Sequence, residues 1–189
     1  MELVAGAIVP AFEMPSRAQY IHDRIIEVGL GPILGPDDHD LSTAARVHRQ
    51  DFLDFLPTVY GRWKAAGRDG TALPFTWPTR GLRGDVVPEH IDGALGYYSF
   101  DAGIGFVEGT WDAIKSSHDV ALTAAALLNN GETSAYALCR PPGHHAGARY
   151  LGCDAPDAPE QTDAAAAVSA GSLAQLIGNG TNDDGRRAN

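Results

Sequence analysis

Cysteine is scarce in this chain: Cys139 and Cys153 are the only two among 189 residues. Two are too few for a disulfide framework, and their separation is wrong for the close pairs of a zinc knuckle. A reducing cytoplasm is the expected setting. Basic residues are also in deficit, 14 Lys and Arg against 24 Asp and Glu, which leaves a formal net charge of -10. That balance argues against partners bound through phosphates, whether nucleic acid or an anionic membrane surface, and the sole basic cluster is the pair Arg186-Arg187. Cationic small molecules suit it better. No apolar stretch approaches the ~20 residues that a membrane-spanning helix needs. No charged segment leads into an apolar run at the start, as a secretory leader would require. Internal repeats are absent too. What is present is 44% hydrophobic residues in a length suited to one compact domain.

Periodicity and punctuation organise the rest. Ala18, Ile21, Ile25, Ile26 and Val28 fall at helical spacing, with Ser16 as a prospective cap and Gly29 as the stop. After turn chemistry between Gly31 and Asp40, Leu41 to Leu56 reads as one or two short helical pieces ending at Pro57. Thr58 to Ala66 continues as an amphipathic helix stopped by Gly67. Arg68 to Leu95 shows no sustained period and is expected to be a long ordered loop. Gly109 to Leu128 is the clearest helix, with Trp111, Ile114, Val120, Ala121, Ala124 and Leu127 as its buried stripe and Asn129-Asn130-Gly131 as its end. Ser134 to Cys139 is a short apolar run that fits a buried parallel strand. Past Gly152 the chain turns acidic, then alanine-rich from Ala164 to Ile177, where a weak helix is possible, then small and polar. The last dozen residues have the composition of a disordered tail.

The strongest chemical signal is Arg140-Pro141-Pro142-Gly143-His144-His145-Ala146, directly after that expected strand, where α/β folds place their sites. Prolines and a glycine restrict the backbone there. Imidazole, with an ordinary pKa of ~6.5, accepts and returns protons near neutral pH, so adjacent histidines on a stiff turn suit acid and base work. A bare His-His pair is more often a pair of exposed loop residues or a fortuitous metal pair. The flanking residues shift that balance. Asp37-Asp38-His39-Asp40 has the Asp-x-His spacing of a metal pair, but between Pro36 and a helix start it reads as turn and capping chemistry.

Arg140 to Ala146 resembles the active-site signature of zinc-dependent deacetylases of the histone deacetylase and acetylpolyamine amidohydrolase family. Four further segments agree with it in order: Pro10-x-x-Glu13-x-Pro15-x-Arg17, Val47-His48 followed by Asp51 to Leu56, Leu73-Pro74-Phe75-x-Trp77-Pro78, and Gly96 to Gly103. The last two look more like the acetylpolyamine amidohydrolase branch. The resemblance implies an α/β fold of the arginase and deacetylase type, three-layer α/β/α, here incomplete in the C-terminal half of its parallel sheet. It implies hydrolysis of acetyl amides of polyamines or of acetyl-lysine, with His144 and His145 as catalytic general base and acid partner. Asp101 matches the substrate-binding rim aspartate, although Ile104-Gly105 differs from the family pattern and Asp101 also suits capping the turn before Gly103. The family's dimers make a homodimer a possible assembly.

The same resemblance divides the chain into residues 1–9, without the family's opening strand and histidine-bearing turn, residues 10–151, the N-terminal part of the deacetylase-like domain, and residues 152–189, a divergent tail. Zinc belongs to the family, yet the Asp-x-His metal pair, the second metal aspartate and the oxyanion tyrosine are not found after Leu151. No metal ligand is therefore assigned, and the expectation is a truncated domain that does not hold zinc. The alternative function is a catalytically inactive fragment or interaction module.

Overall fold

The structure, a computed structural model, describes residues 2–10, 14–79, 81–141, 143 and 145–152. Two short strands open it, β1 (Glu2–Val4) and β2 (Ala7–Val9), antiparallel with Leu3 opposite Ile8. Ala5 and Gly6 both adopt positive φ, 50° and 84°, the geometry that matches a two-residue turn to strand twist. Residues 2–4 and 7–9 thus form a small hairpin within the segment read as lacking the family's opening strand. Helix α1 (Pro15–Val28) begins at Met14 with Pro15 in its first turn, so Met14 and not Ser16 is the cap residue. Proline is preorganised for that place because its missing N–H would find no helical partner anyway. Gly29, at φ 58°, ends the helix as expected: its N–H reaches Ile26 O and the Leu30 N–H reaches Ile25 O. No residue of α1 is buried, and Tyr20, Ile26 and Leu30 are largely exposed.

The core lies further along. Helix α2 (Gln50–Phe55) runs through a 3-10 turn at Leu56–Thr58 into α3 (Val59–Ala65), and both pack on α4 (Ile91–Tyr97). Phe52, Phe55, Leu56, Val59 and Trp63 meet Ile91, Ala94, Leu95, Tyr98 and Phe106. An antiparallel bridge between Ala72 and Phe106, closed by hydrogen bonds of 2.8 and 3.0 Å, fastens the intervening loop. Arg68 lies over the Trp63 ring at 4.6 Å and pairs with Asp92, tying the end of α3 to the first turn of α4.

Helix α4 falls inside the stretch expected to be loop. Its seven residues include Gly93 and Gly96, which lower helix propensity and read as turn formers. In the fold, Gly96 is there for close approach: a Cβ would sit inside contact distance of the Thr76 carbonyl oxygen and 3.3 Å from Trp77 Cα.

Helix α5 (Thr110–Asn129) matches its expected span and ends where Gly131 takes φ 102°. Its buried face differs in part. Ser117, His118 and Asp119 are buried beside Ala121, Ala124 and Ala125, while Val120 and Leu127 are only partly so. The cover over these polar groups is the segment 37–40. Asp37 N–H donates to Thr123 Oγ1 at 2.9 Å, His39 N–H to Asp119 Oδ1 at 3.2 Å, and the His118 ring meets Asp40 O at 3.1 Å. Lys115 Nζ bridges Asp38 and Asp119 at 2.7 and 2.8 Å. The Asp-Asp-His-Asp run is a polar strap on α5, in keeping with its reading as turn chemistry.

Ser134–Cys139 is not a strand. Its backbone is extended, but no ladder partner lies beside it among the described residues, and a backbone in a sheet interior needs one on each side. Cys139 N–H closes a short turn onto Ala137 O at 3.0 Å instead, and Tyr136 is 66% exposed. Among the described residues no helix is long and apolar enough to cross a membrane. The alanine-rich piece at 164–177, Cys153 and the tail read from residue 153 onward lie outside the described residues.

Replacing Gly96 by Ala forces Cβ against the Thr76 backbone. Overpacking of this kind costs about 1–3 kcal/mol, and the expected result is a lower urea midpoint with an unchanged slope. Gly61→Ala, where nothing lies within 4 Å of the added Cβ, serves as the control. Equal midpoints for the two variants would contradict the packing of α4 on residues 76–77.

Candidate functional site

The segment 140–151 follows the extended run and is fastened at three places. The Arg140–Pro141 peptide is cis. Ala146 N–H donates to Gly143 O at 3.0 Å, closing a turn with His145 in its third position. His144 lies outside the described residues, as does Pro142, so the tandem pair is represented by His145, which is half-buried. Immediately beyond, Gly147 N–H donates to Tyr150 O at 2.8 Å, and the Tyr150 ring stands where a Cβ on residue 147 would go. Only glycine allows that approach.

The first fastening comes from the start of α2. Arg49 N–H donates to Ala148 O at 2.8 Å, and His48 Nδ1 lies 2.8 Å from Gly147 O. The second comes from the end of α4. Ser99 and Leu151 form a parallel bridge, with Leu151 N–H donating to Tyr98 O at 2.9 Å and Phe100 N–H donating to Leu151 O at 3.1 Å. The third is aromatic: Tyr150 meets Phe100 edge to face, ring centroids 5.6 Å apart.

Asp101 follows Phe100 directly, so the bridge attaches the segment carrying Asp101 to the segment carrying His145. Asp101 Oδ1 accepts from Gly103 N–H at 3.0 Å. This is the turn-capping geometry that its sequence context also suited. Accepting that hydrogen bond does not by itself rule out a rim role, since an ionised carboxylate offers about four acceptor positions.

Tyr98 supports the whole arrangement. Its ring is buried, stacked on Phe55 at 4.4 Å, and its hydroxyl lies 3.3 Å from both Asp51 O and Asp51 Oδ2. Burial, reinforced by the Asp51 charge, pushes the phenol up to about 12. The hydroxyl keeps its proton as a donor. Asp51 in turn is held below the usual carboxylate range chiefly by its hydrogen bond from Arg49. His48 is buried between the Phe52 ring and the Gly147 carbonyl. It is 5% exposed, and burial lowers its pKa more than the Gly147 carbonyl raises it.

Among the described residues no three His, Cys, Asp or Glu side chains gather where they could hold a metal ion. The donor set that zinc requires, about three protein ligands, is not met by them. Cys139 is half-buried with its thiol pushed up by desolvation, which disfavours the thiolate.

Comparison with known proteins places this geometry. A family model described as the histone deacetylase domain matches residues 11–152. Acetylpolyamine amidohydrolase 2 of Pseudomonas aeruginosa is 50% identical over 151 residues, covering 80% of this chain and 44% of the relative. Acetylpolyamine amidohydrolase of Mycoplana ramosa is 41% identical over 151 residues, with the same coverage of 80% and 44%. The crystal structure of acetylpolyamine aminohydrolase from Burkholderia pseudomallei matches with a TM-score of 0.70 at 32% identity, covering 80% of this chain and 44% of that one. The expected fold class, a part of the arginase and deacetylase arrangement, is borne out. The chain spans less than half the length of the relatives it matches.

The low pKa of His48 sets a pH dependence. In the unfolded chain the ring titrates at ~6.5, while in the fold it stays neutral to lower pH. Between those values the unfolded state binds more protons, so stability is full above ~6.5 and falls as pH drops from there through the folded pKa. The expected result is a urea midpoint that declines as pH falls below ~6.5, with a shallower decline in His48→Asn. Identical pH slopes in the two proteins would show that His48 is not buried as described.

Proposed function

This chain belongs to the histone deacetylase domain family, and from that premise we propose that it carries the proton-handling and substrate-holding part of an amidohydrolase acting on acetylated polyamines. The observation that carries this reading is the fastening of the tandem-histidine segment to the Asp101 segment through the Ser99–Leu151 bridge. It gives the proton carriers and the rim carboxylate one common support. In this reading His144 and His145 take a proton from the attacking water and return one to the departing amine. Asp101 accepts a hydrogen bond from the substrate amide. The acetyl carbon leaves as acetate and the amine as a cation.

The charge of -10 supports a polyamine over a neutral or anionic amide, because a polycation is drawn to an acidic surface at long range. The scarcity of cysteine supports the cytoplasm as its place. Zinc is the group the family implies, and it would polarise the acetyl carbonyl. The described residues do not fit it with a ligand set, so the steps assigned here are those of His144, His145 and Asp101. Residues 152–189 are proposed as a segment distinct from the deacetylase-like part.

The test is acetate release from a monoacetylated diamine by the purified chain offered zinc, with bound metal measured by elemental analysis. The expected outcome is hydrolysis that falls by roughly 10²–10⁴-fold in kcat for His145→Ala and His144→Ala, whereas Asp101→Ala acts mainly by raising KM. Folded protein that retains no zinc and releases no acetate would overturn the hydrolase reading and leave a non-catalytic module that shares the family's fold.

A further inference from the structure

Among the described residues no sheet holds the tandem-histidine turn. The run before it, 134–140, is extended without a ladder partner among the described residues, and the local Ala146 to Gly143 hydrogen bond closes the turn that follows. Its long-range restraints lie just downstream. Two consecutive carbonyls, Gly147 O and Ala148 O, face two consecutive donors, the His48 ring and the Arg49 N–H, each at 2.8 Å. One of those donors is a side chain, and the residue it meets stands 99 positions away and two beyond His145.

We propose that His48 is a positioning residue for the tandem-histidine turn: with its proton on Nδ1 it donates to the Gly147 carbonyl and fixes the backbone that leaves His145. A carbonyl only accepts, so the proton must sit on Nδ1. The ring cannot easily turn away, because it is buried with its edge toward Phe52, centroids 5.5 Å apart at 64°. Gly147 cannot move freely either, since its N–H is held by Tyr150 O and the Tyr150 ring covers its α-carbon. The carbonyl plane at 147 is therefore defined from both sides. Displacement of a catalytic group by ~1 Å suffices to slow a reaction ~100-fold, so a single hydrogen bond at this point bears on catalysis without touching substrate.

The inference rests on the proposed function for its catalytic consequence, but not for its structural one. The first measurement is therefore the imidazole ¹⁵N spectrum of the full chain at neutral pH. His48 is expected as the Nδ1–H tautomer, and an Nε2–H tautomer would overturn the proposal without any substitution. The second compares His48→Asn, whose amide N–H replaces the Nδ1–H donor, with His48→Leu, which keeps bulk and loses the donor. Imidazole resonances of His145 are expected to stay in place in the Asn variant and to shift in the Leu variant. Amide exchange over residues 145–148 should also rise at least tenfold in the Leu variant alone. Unchanged His145 resonances and exchange in folded His48→Leu would overturn the proposal. If the chain hydrolyses acetylated diamines, kcat should fall roughly 10–100-fold in His48→Leu, KM should stay within about twofold, and His48→Asn should recover most of the loss. If the wild-type chain shows no hydrolysis, the functional reading fails while the tautomer and exchange still decide the role of His48.

Discussion

Tyr98 is the residue on which the described fold turns. Its ring fills the centre of the core against Phe55, its hydroxyl engages Asp51 at the start of α2, and its carbonyl receives the Leu151 N–H. One residue thus connects the helical core, the first turn of α2 and the end of the candidate catalytic segment. Aromatic burial supplies the energy and the hydrogen bonds supply the direction. With Leu151, which is itself buried in the core, the Tyr98 ring anchors the bridge that joins the Asp101 and His145 segments.

The legible parts of the sequence were those decided locally. Helix α5 carries its own period and its own stop, and Gly29 and Gly131 adopt the positive φ that helix ends favour. Helix α4 was not legible because its glycines answer to close approaches, Gly93 to the nearby Pro88 ring and Gly96 to the distant Thr76 carbonyl, and not to helix propensity. The cap of α1 was misplaced by two residues because Pro15 defines the helix start more strongly than a serine hydroxyl does. Ser134–Cys139 has the composition of a strand, but a strand exists only by pairing, and pairing is not written in the segment itself.

The candidate site divides in the same way. His145 and Asp101 were found through motifs, and the structure attaches their segments to one another. The partner of His48 was not legible, since a lone histidine ahead of a helix carries no mark of a carbonyl 99 residues away. The strap at 37–40 shows the converse. Its residues had the spacing of a metal pair, and what they do is cover polar groups of α5, with Lys115 balancing Asp38 and Asp119. Burial raises the Asp119 pKa, and the hydrogen bonds from Lys115 and from the His39 N–H outweigh it, leaving the carboxylate charged.

The long reach from His48 to Gly147 also has a consequence in time. A ribosome adds ~5–20 residues each second, so after His48 emerges its partner follows only ~5–20 s later. Through that interval the chain displays α2 and α3 with their aromatic faces incompletely covered. Contacts of such separation are slow to close and leave apolar surface open meanwhile. During synthesis, the same connection that ties α2 to the candidate catalytic segment in the finished fold is one of the last to form.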